Sequence, residues 1–329
     1  MLHDSPVSKK YFLYMNVKYG QKVAPLGLLT LCSIVSARII TPKFPIGFNL
    51  CKVAPSGQFK SRTSIEAQKA MPKEYSISLK SDFTLHSIRN EYQGDVRNKC
   101  LLINDGTLLL GSKSRKAKER VINGIAEVLS DGTYHYGDFR QYWDIVGPCT
   151  CVFNITSDAF QRYETTLLAS TFINRFLTVH YNMPLSEMRD FIENRERRKA
   201  IRFDDKLTID SEDISLGKFE EVIIDYGEVW TALSGIPLNR MTDEVDALVK
   251  AHAALNHRDE VNRDDVWLLR TTEQYVSNPS RTSATKIRAL HQQGRSIKDI
   301  CLLLGKNPAS YRTTVSRILS RARKMGVFD

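Results

Sequence analysis

Phe48-Asn49-Leu50-Cys51-Lys52-Val53-Ala54-Pro55-Ser56-Gly57-Gln58-Phe59-Lys60-Ser61-Arg62 is the stretch from which the rest of the chain is read. Its first part is apolar and strand-like at Phe48, Leu50, Cys51 and Val53, and it stops at Pro55. A short turn leads to Lys60 and Ser61, and a helix-compatible run follows from Thr63 to Ala70. Strand, tight loop, Lys-Ser, helix is the order a phosphate-binding loop needs. Backbone N–H groups of the turn and of the helix N-terminus cradle phosphates, the lysine reaches the terminal phosphates and the serine holds Mg²⁺. On that reading Pro55, Ser56, Gly57, Gln58, Phe59, Lys60 and Ser61 bind nucleotide phosphates. Against the pattern G-x-x-x-x-G-K-[ST], Ala54 replaces the first glycine and Phe59 the second. A basic surface turn is the other reading of the same residues.

The 329 residues suffice for one large domain or two ordinary ones with a small appendage. Apolar residues make up 42%, enough for packed cores, and the net charge of +10 points to a polyanionic partner. Six cysteines (Cys32, Cys51, Cys100, Cys149, Cys151, Cys301) lie mostly in apolar runs and none forms C-x-x-C. They fit buried free thiols in a reducing cytoplasm better than zinc ligands or disulfides. The apolar run Ala24–Ala37 is shorter than the roughly 20 residues of a membrane span and is closed by Arg38, so a buried helix and no membrane partner are expected.

Along the chain, residues 1–40 read as a lead-in with one apolar helix, Leu28–Ile40, and Thr41–Pro45 as a turn. Tyr75, Ile77 and Leu79 have strand period, and Asp82-Phe83-Thr84 can cap a helix carrying Leu85, Ile88 and Tyr92. Cys100–Ile103 is a short apolar strand tipped by Asn104 and Asp105. Such a run suits a parallel strand buried on both faces, with its acid beside a nucleotide held by a neighbouring loop. A core strand ending in an ordinary Asn-Asp-Gly turn is the alternative. The basic run Lys113–Arg120 leads into a helix that stops at Ser130-Asp131-Gly132. An aromatic hairpin-like excursion follows at 133–138, with packing as its plainer role. Cys149–Ile155 is a strand, Phe160–Phe176 a helix ending in Asn174-Arg175-Phe176, and Leu177–Tyr181 a further strand. Glu187–Lys206 is mostly charged, Leu238–Leu255 is helical, Val261–Val266 caps another helix, and the polar stretch Thr271–Ser283 reads as a linker.

Residues 281–329 hold eleven bases and only two acids, Asp299 and Asp329, an excess close to that of the whole chain. Their pattern is three short helices, Thr285–Gln292, Ile297–Leu304 and Ala309–Lys324, with Gly305 in the turn that a helix-turn-helix requires. Lys306, Tyr311, Arg312, Thr313, Arg317 and Arg321 suit phosphate and base-edge contacts in a DNA major groove. A basic helical cap is the other reading.

Taken in order, these motifs resemble the AAA+ ATPases, and most of all the minichromosome-maintenance helicases, across roughly residues 45–270. That family's loop reads G-D-P-G-T-A-K-S, to which Ala54–Ser61 is similar. Its Walker B strand is met by Leu101–Asp105, its pre-hairpin helix by Ala126–Gly132, its sensor asparagine by Asn154, and its arginine finger by Ile173–Phe176. Its lid arginine is met by Arg240, before Ala247–Ala253, and its lid end by Asp259–Val266. The resemblance implies an α/β fold: a P-loop parallel sheet over 41–185, a helical lid over 186–272, a linker over 273–283, and a small all-α helix-turn-helix, winged or simple, over 284–329. It implies ATP and Mg²⁺ as cofactors, with Ser61, Asn104 and Asp105 around the metal and Asp105, Asn154, Arg175 and Arg240 as catalytic residues. Lys60 and Arg240 would neutralise phosphates within the subunit, and Arg175 would act across an interface. That requires a homo-oligomer, at least a dimer, or a ring such as a hexamer. DNA is the implied partner, and the cytoplasm, on the nucleoid, the implied location. The departures are Ala54, the lack of room for the family's N-terminal domain, and a Walker B tip with one acid. Nucleotide binding therefore follows more directly than fast hydrolysis, and an ATP-dependent DNA motor or replication-initiator-like ATPase stands beside an ATP-switched DNA-binding regulator.

Overall fold

A computed structural model describes residues 6–39, 47–80, 83–111, 114–137, 142–210, 213–276, 283–304 and 306–324. Its centre is a five-stranded, wholly parallel sheet made of β1 (Leu50–Ala54), β2 (Ser76–Leu79), β3 (Cys100–Ile103), β6 (Thr150–Thr156) and β7 (Leu177–His180), in the order β2-β3-β6-β1-β7. A separate antiparallel hairpin joins β4 (Thr133–Gly137) to β5 (Tyr142–Val146). The strands of the sheet are short, rich in Cys, Val, Leu and Ile, and covered by helices on both faces, as parallel sheets require. Side chains alternate between faces. Cys51, Val53, Leu101, Ile103, Cys151, Phe153 and Ile155 join one core, whereas Leu50, Ala54, Cys100, Leu102, Val152, Leu177 and Val179 join the other.

The first of these cores is closed by α4 (Leu85–Tyr92), α6 (Arg115–Asp131), α7 (Ser157–Ala169) and the hairpin. Thr84 and Ser87 form the capping box of α4, and Gly132, in left-handed conformation, ends α6. The second core contains α1 (Val7–Tyr19), α2 (Ala24–Ile39), α3 (Lys60–Ala70), α10 (Glu220–Ser234), α11 (Leu238–Leu255) and α12 (Arg263–Glu273). All residues from Ala24 to Ala37 are buried, so α2 is a central element between the sheet and α11. The expected lead-in thus contains two helices and belongs to the main core. α1 lacks the clean apolar stripe that marks a helix in sequence; it buries Tyr11, Tyr14, Met15 and Tyr19. The mostly charged stretch Glu187–Lys206 contributes to two helices, α8 (Leu185–Glu193) and α9 (Arg195–Lys199), neither of which has a fully buried residue.

Three boundaries differ from the sequence reading. The helix expected to reach Phe176 stops at Ala169, and Ile173–Arg175 is a single 3-10 turn that buries Phe172, Ile173 and Phe176. The linker expected from Thr271 is ordered up to Val276: α12 runs to Glu273, Tyr275 and Val276 are buried, and Val276 bridges Val179 on the open edge of β7. The helix expected from Leu28 begins at Ala24. The turn at 41–45, Gly305 and Arg281 lie outside the described residues.

The basic C-terminal segment forms α13 (Ser283–Gln292), α14 (Ile297–Leu303) and α15 (Pro308–Lys324). Ile287, Leu290, Ile300, Cys301, Val315 and Leu319 are buried among them. α13 also rests on α10, where Gln293 Nε2 donates to Glu228 O at 2.5 Å.

Candidate functional site

Register brings the strand tips together. Ala54 pairs with Thr156 and Ile103 with Phe153, so the loops after β1, β3 and β6 leave the sheet at one edge. From β1 the chain goes first to β2 and β3 on one side, and finally crosses from β6 to β7 on the other. β1 therefore marks the switch point at which open α/β sheets bind ligands, beyond the carboxyl ends of their strands. A cleft of about 320 Å³ opens there. Ser56, Gly57, Gln58, Phe59, Lys60 and Ser61 form one wall; Asn104, Asp105, Asn154, Thr107 and Thr156 form the other.

The loop is pinned from behind. Gln58 donates to Asn182 Oδ1 at 2.7 Å and accepts from Met183 N at 2.8 Å, and its carbonyl accepts from the Tyr181 hydroxyl. Gly57 has φ +79° and Phe59 φ +62°, both left-handed, so the loop has the backbone of a glycine-rich turn with a phenylalanine at the second such position. The Phe59 ring is held between Tyr19 and Phe191, with centroids 5.3 and 4.4 Å away. α3 starts at Lys60 with no side-chain cap, which leaves its first N–H groups directed at the cleft. Lys60 Nζ donates to Ala54 O and Pro55 O at 2.7 and 2.8 Å. Burial pushes its pKa down to about 8, against the pull of Asp105.

Across the cleft, Ser61 Oγ donates to Asn104 O at 2.7 Å, which commits its proton and leaves its oxygen able to ligate. Asn104 Nδ2 donates to Ser78 Oγ at 3.0 Å. Asp105 Oδ1 accepts from Leu108 N at 3.1 Å and so caps the short helix α5 (Gly106–Gly111). Gly106 is needed there because a Cβ would lie 2.4 Å from the Phe153 ring. Asn154 is buried; its Nδ2 donates to Ser64 Oγ at 3.0 Å and its Oδ1 has no partner. Ser61, Asn104 and Asp105 offer only oxygens, the donor set of a hard cation that completes its shell with water and phosphate. Among the described residues no group of three or more His, Cys, Asp or Glu side chains could hold a metal alone.

Lys52 was not singled out in the sequence, although a lysine inside an apolar strand is a visible signal. It is wholly buried beneath α3, its Nζ within hydrogen-bond distance (2.7–3.1 Å) of four acceptors, Thr30 Oγ1, Thr63 Oγ1, Ser64 Oγ and Lys60 O, among which its N–H groups are shared. Thr30 and Thr63 give their own protons to Leu26 O and Lys60 O. The amine thus meets acceptors, the environment an ammonium needs, although burial pushes its pKa well down. Through Ser64 it supports Asn154.

Two expected residues are elsewhere. Arg240 Nη2 reaches Arg175 O at 3.4 Å and Glu244 Oε1 at 3.4 Å, while Glu244 Oε2 accepts from Asn49 N at 2.9 Å. Asn49 precedes β1, so this group lies at the opposite end of the sheet from the cleft, about 16 Å from Ala54 at ~3.3 Å per strand residue. The expectation that Arg240 neutralises phosphates in its own subunit is therefore corrected: α11 starts at the wrong end of the sheet. Burial pushes the Glu244 carboxyl up to about 8, against the influence of Arg240. Arg175 Nε donates to Ser130 Oγ at 2.6 Å and Ala126 O at 3.2 Å, at the C-terminal end of α6. It is a structural tie, also remote from the cleft.

On α15 the exposed side chains include Arg312, Thr313, Ser316 and Arg317, with Tyr311 half-buried and Val315 and Leu319 facing α13 and α14. Lys306 is exposed just before the helix. The Arg321 side chain lies outside the described residues. All six cysteines are buried free thiols, and among the described residues no helix is long and apolar enough to cross a membrane. No family model matches the chain, and no curated protein matches it.

Proposed function

We propose that the chain is an ATP-binding protein of AAA+ type, similar to the minichromosome-maintenance helicases, that acts on DNA as an oligomer. One observation carries this reading: the strand tips bring Lys60, Ser61, Asn104, Asp105 and Asn154, from three separate sequence motifs, into one cleft at the switch point of the sheet. The uncapped start of α3 and Lys60 would hold the phosphates, Ser61 and Asp105 the Mg²⁺, and the free Asn154 Oδ1 a water. Mg²⁺ would supply charge neutralisation on the phosphates. Arg175 and Arg240 lie side by side at the far edge, where an oligomer could offer both to a neighbour's cleft. The helical lid and a helix-turn-helix formed by α14 and α15 belong to the same proposal, with the exposed face of α15 set against DNA. Calorimetry with a non-hydrolysable Mg-ATP analogue tests the core of it. Lys60→Ala is expected to abolish measurable binding; affinity equal to wild type would overturn it.

The second reading, an ATP-switched DNA-binding regulator with little turnover, is favoured by the single carboxylate in the cleft and its use as a helix cap. On that reading Asn104 limits turnover, and Asn104→Asp should raise the ATPase rate. An unchanged rate in the folded variant would remove Asn104 as the limiting residue.

A further inference from the structure

Behind the phosphate loop lies a second recess that the nucleotide reading does not use. It encloses about 430 Å³ between the outer face of α3, the end of α1, and α8 and α9, and it shares Phe59 and Arg62 with the cleft. Its floor is aromatic: Phe59, Phe191 and Tyr19 are in mutual contact, Phe59 and Phe191 only half-buried. Its walls are cationic. Arg62 and Lys69 are seven residues apart and share one face of α3. Arg195, Arg198 and Arg202 come from the other wall.

Glu66, the only acid lining the recess among the described residues, accepts hydrogen bonds from Tyr14, Lys18 and Tyr19, so its charge is largely taken up. Arg198 pairs with Asp190 and lies 5.8 Å from the Phe191 ring centre. Arg62, Arg195 and Arg202 carry no ion pair among the described residues. A cationic rim without ion pairs over half-buried aromatic rings is the chemistry that tracks a phosphate backbone and stacks unpaired bases.

We propose that this recess binds a single-stranded segment of nucleic acid, with phosphates against Arg62, Arg195 and Arg202 and a base against Phe59 and Phe191. A duplex keeps its base faces stacked and could not use the rings. A free phosphate has no use for them. The site serves this role independently of what the phosphate cleft holds.

The test uses the full chain and labelled oligo-dT, read by fluorescence anisotropy across salt concentrations, with saturating unlabelled duplex to occupy α15. Arg195→Ala/Arg202→Ala, at exposed positions, should weaken binding and flatten the log–log salt slope by about 1.4, two contacts at ~0.7 each. Phe191→Leu should weaken binding about 5-fold or more with the slope unchanged, because stacking releases no counterions. The Arg195→Ala/Arg202→Ala variant should bind the Mg-ATP analogue as wild type does; Phe191→Leu is read on oligo-dT alone, because Phe191 also holds the Phe59 ring of the phosphate loop. Wild-type oligo-dT affinity and slope in both variants would overturn the proposal. So would loss of analogue binding with oligo-dT binding intact, which would assign the recess to the nucleotide.

Discussion

Lys52 and Lys60 place two amines beside the same helix turn, and their environments predict different behaviour. Lys60 sits at the cleft with a pKa near 8 because burial disfavours its charge. A bound polyphosphate favours that charge, so binding takes up a proton wherever free Lys60 is neutral. Affinity for Mg-ATP should therefore fall as pH rises through about 8, and Lys60→Arg, which stays charged, should remove that fall. Titration calorimetry from pH 7 to 9, at roughly half-unit steps around the Lys60 pKa, checks it; a flat profile for wild type would contradict the assignment. Lys52 has a folded-state pKa well below its ordinary value. Its charged form is disfavoured by folding, so stability rises with pH between the lowered and the ordinary lysine pKa. Lys52→Met should flatten that rise and, by leaving buried hydroxyl acceptors unpaired, cost about 1–3 kcal/mol at neutral pH in urea denaturation. Phe59 makes the same point about backbone: its left-handed conformation costs on the order of 1 kcal/mol, and its two ring contacts hold it there.

At the scale of elements, α15 carries its charge on the face turned away from the small core it completes. Phosphate contacts from Arg312 and Arg317 should make duplex binding strongly salt-dependent. Replacing both with alanine should flatten the log–log slope by about 1.8, at ~0.9 per phosphate. Retention of the full slope, measured by anisotropy, would move the duplex site off α15. The junction of α11 and α12 shows a different device. Asp265 is buried, which alone would raise its pKa, yet His252 and Arg258 hold it below the ordinary range. It also completes the capping box with Asn262. Asp265→Ala should cost about 3–5 kcal/mol, because it removes a helix cap and leaves both the buried His252 and the half-buried Arg258 without their shared carboxylate. Thermal denaturation at neutral pH checks this. In wild type, the Asp265 contribution is present above the ordinary carboxylate pKa and is lost as pH falls through the depressed one.

For the whole molecule, α2 is the test of what holds the sheet. Its buried run Ala24–Ala37 touches β1, β3, β6, α3 and α11, and Ser33 and Thr30 bond into the sheet and to Lys52. A chain beginning at Phe48 should fail to fold, as judged by loss of a cooperative unfolding transition; a stable, cooperatively melting product would show that the helices preceding β1 are dispensable. In an oligomer, Arg175→Ala and Lys60→Ala subunits, when mixed, should regain some ATPase at shared sites. No rescue in assemblies shown to mix would confine Arg175 to its tie with α6.

Local sequence determined the elements whose chemistry is local. β1, the Lys60-Ser61 helix start, β3 with its Asn104-Asp105 tip, β6, the aromatic hairpin and the three basic C-terminal helices are each marked by short-range pattern, and the structure has them within a few residues. The buried thiols followed from their apolar neighbours. Tertiary structure decided what depends on long-range pairing. It set the strand order that gathers Lys60, Asn104 and Asn154 in one cleft and sends Arg240 to the far edge. It made α2 a core helix and turned Thr271–Val276 from linker into edge, since whether a polar segment is anchored depends on its partner, here β7. The basic recess was illegible for the same reason: its cations come from α3 and from α9 and the segment after it, over a hundred residues apart, and only the packing of α1 and α8 against Phe59 makes them one surface.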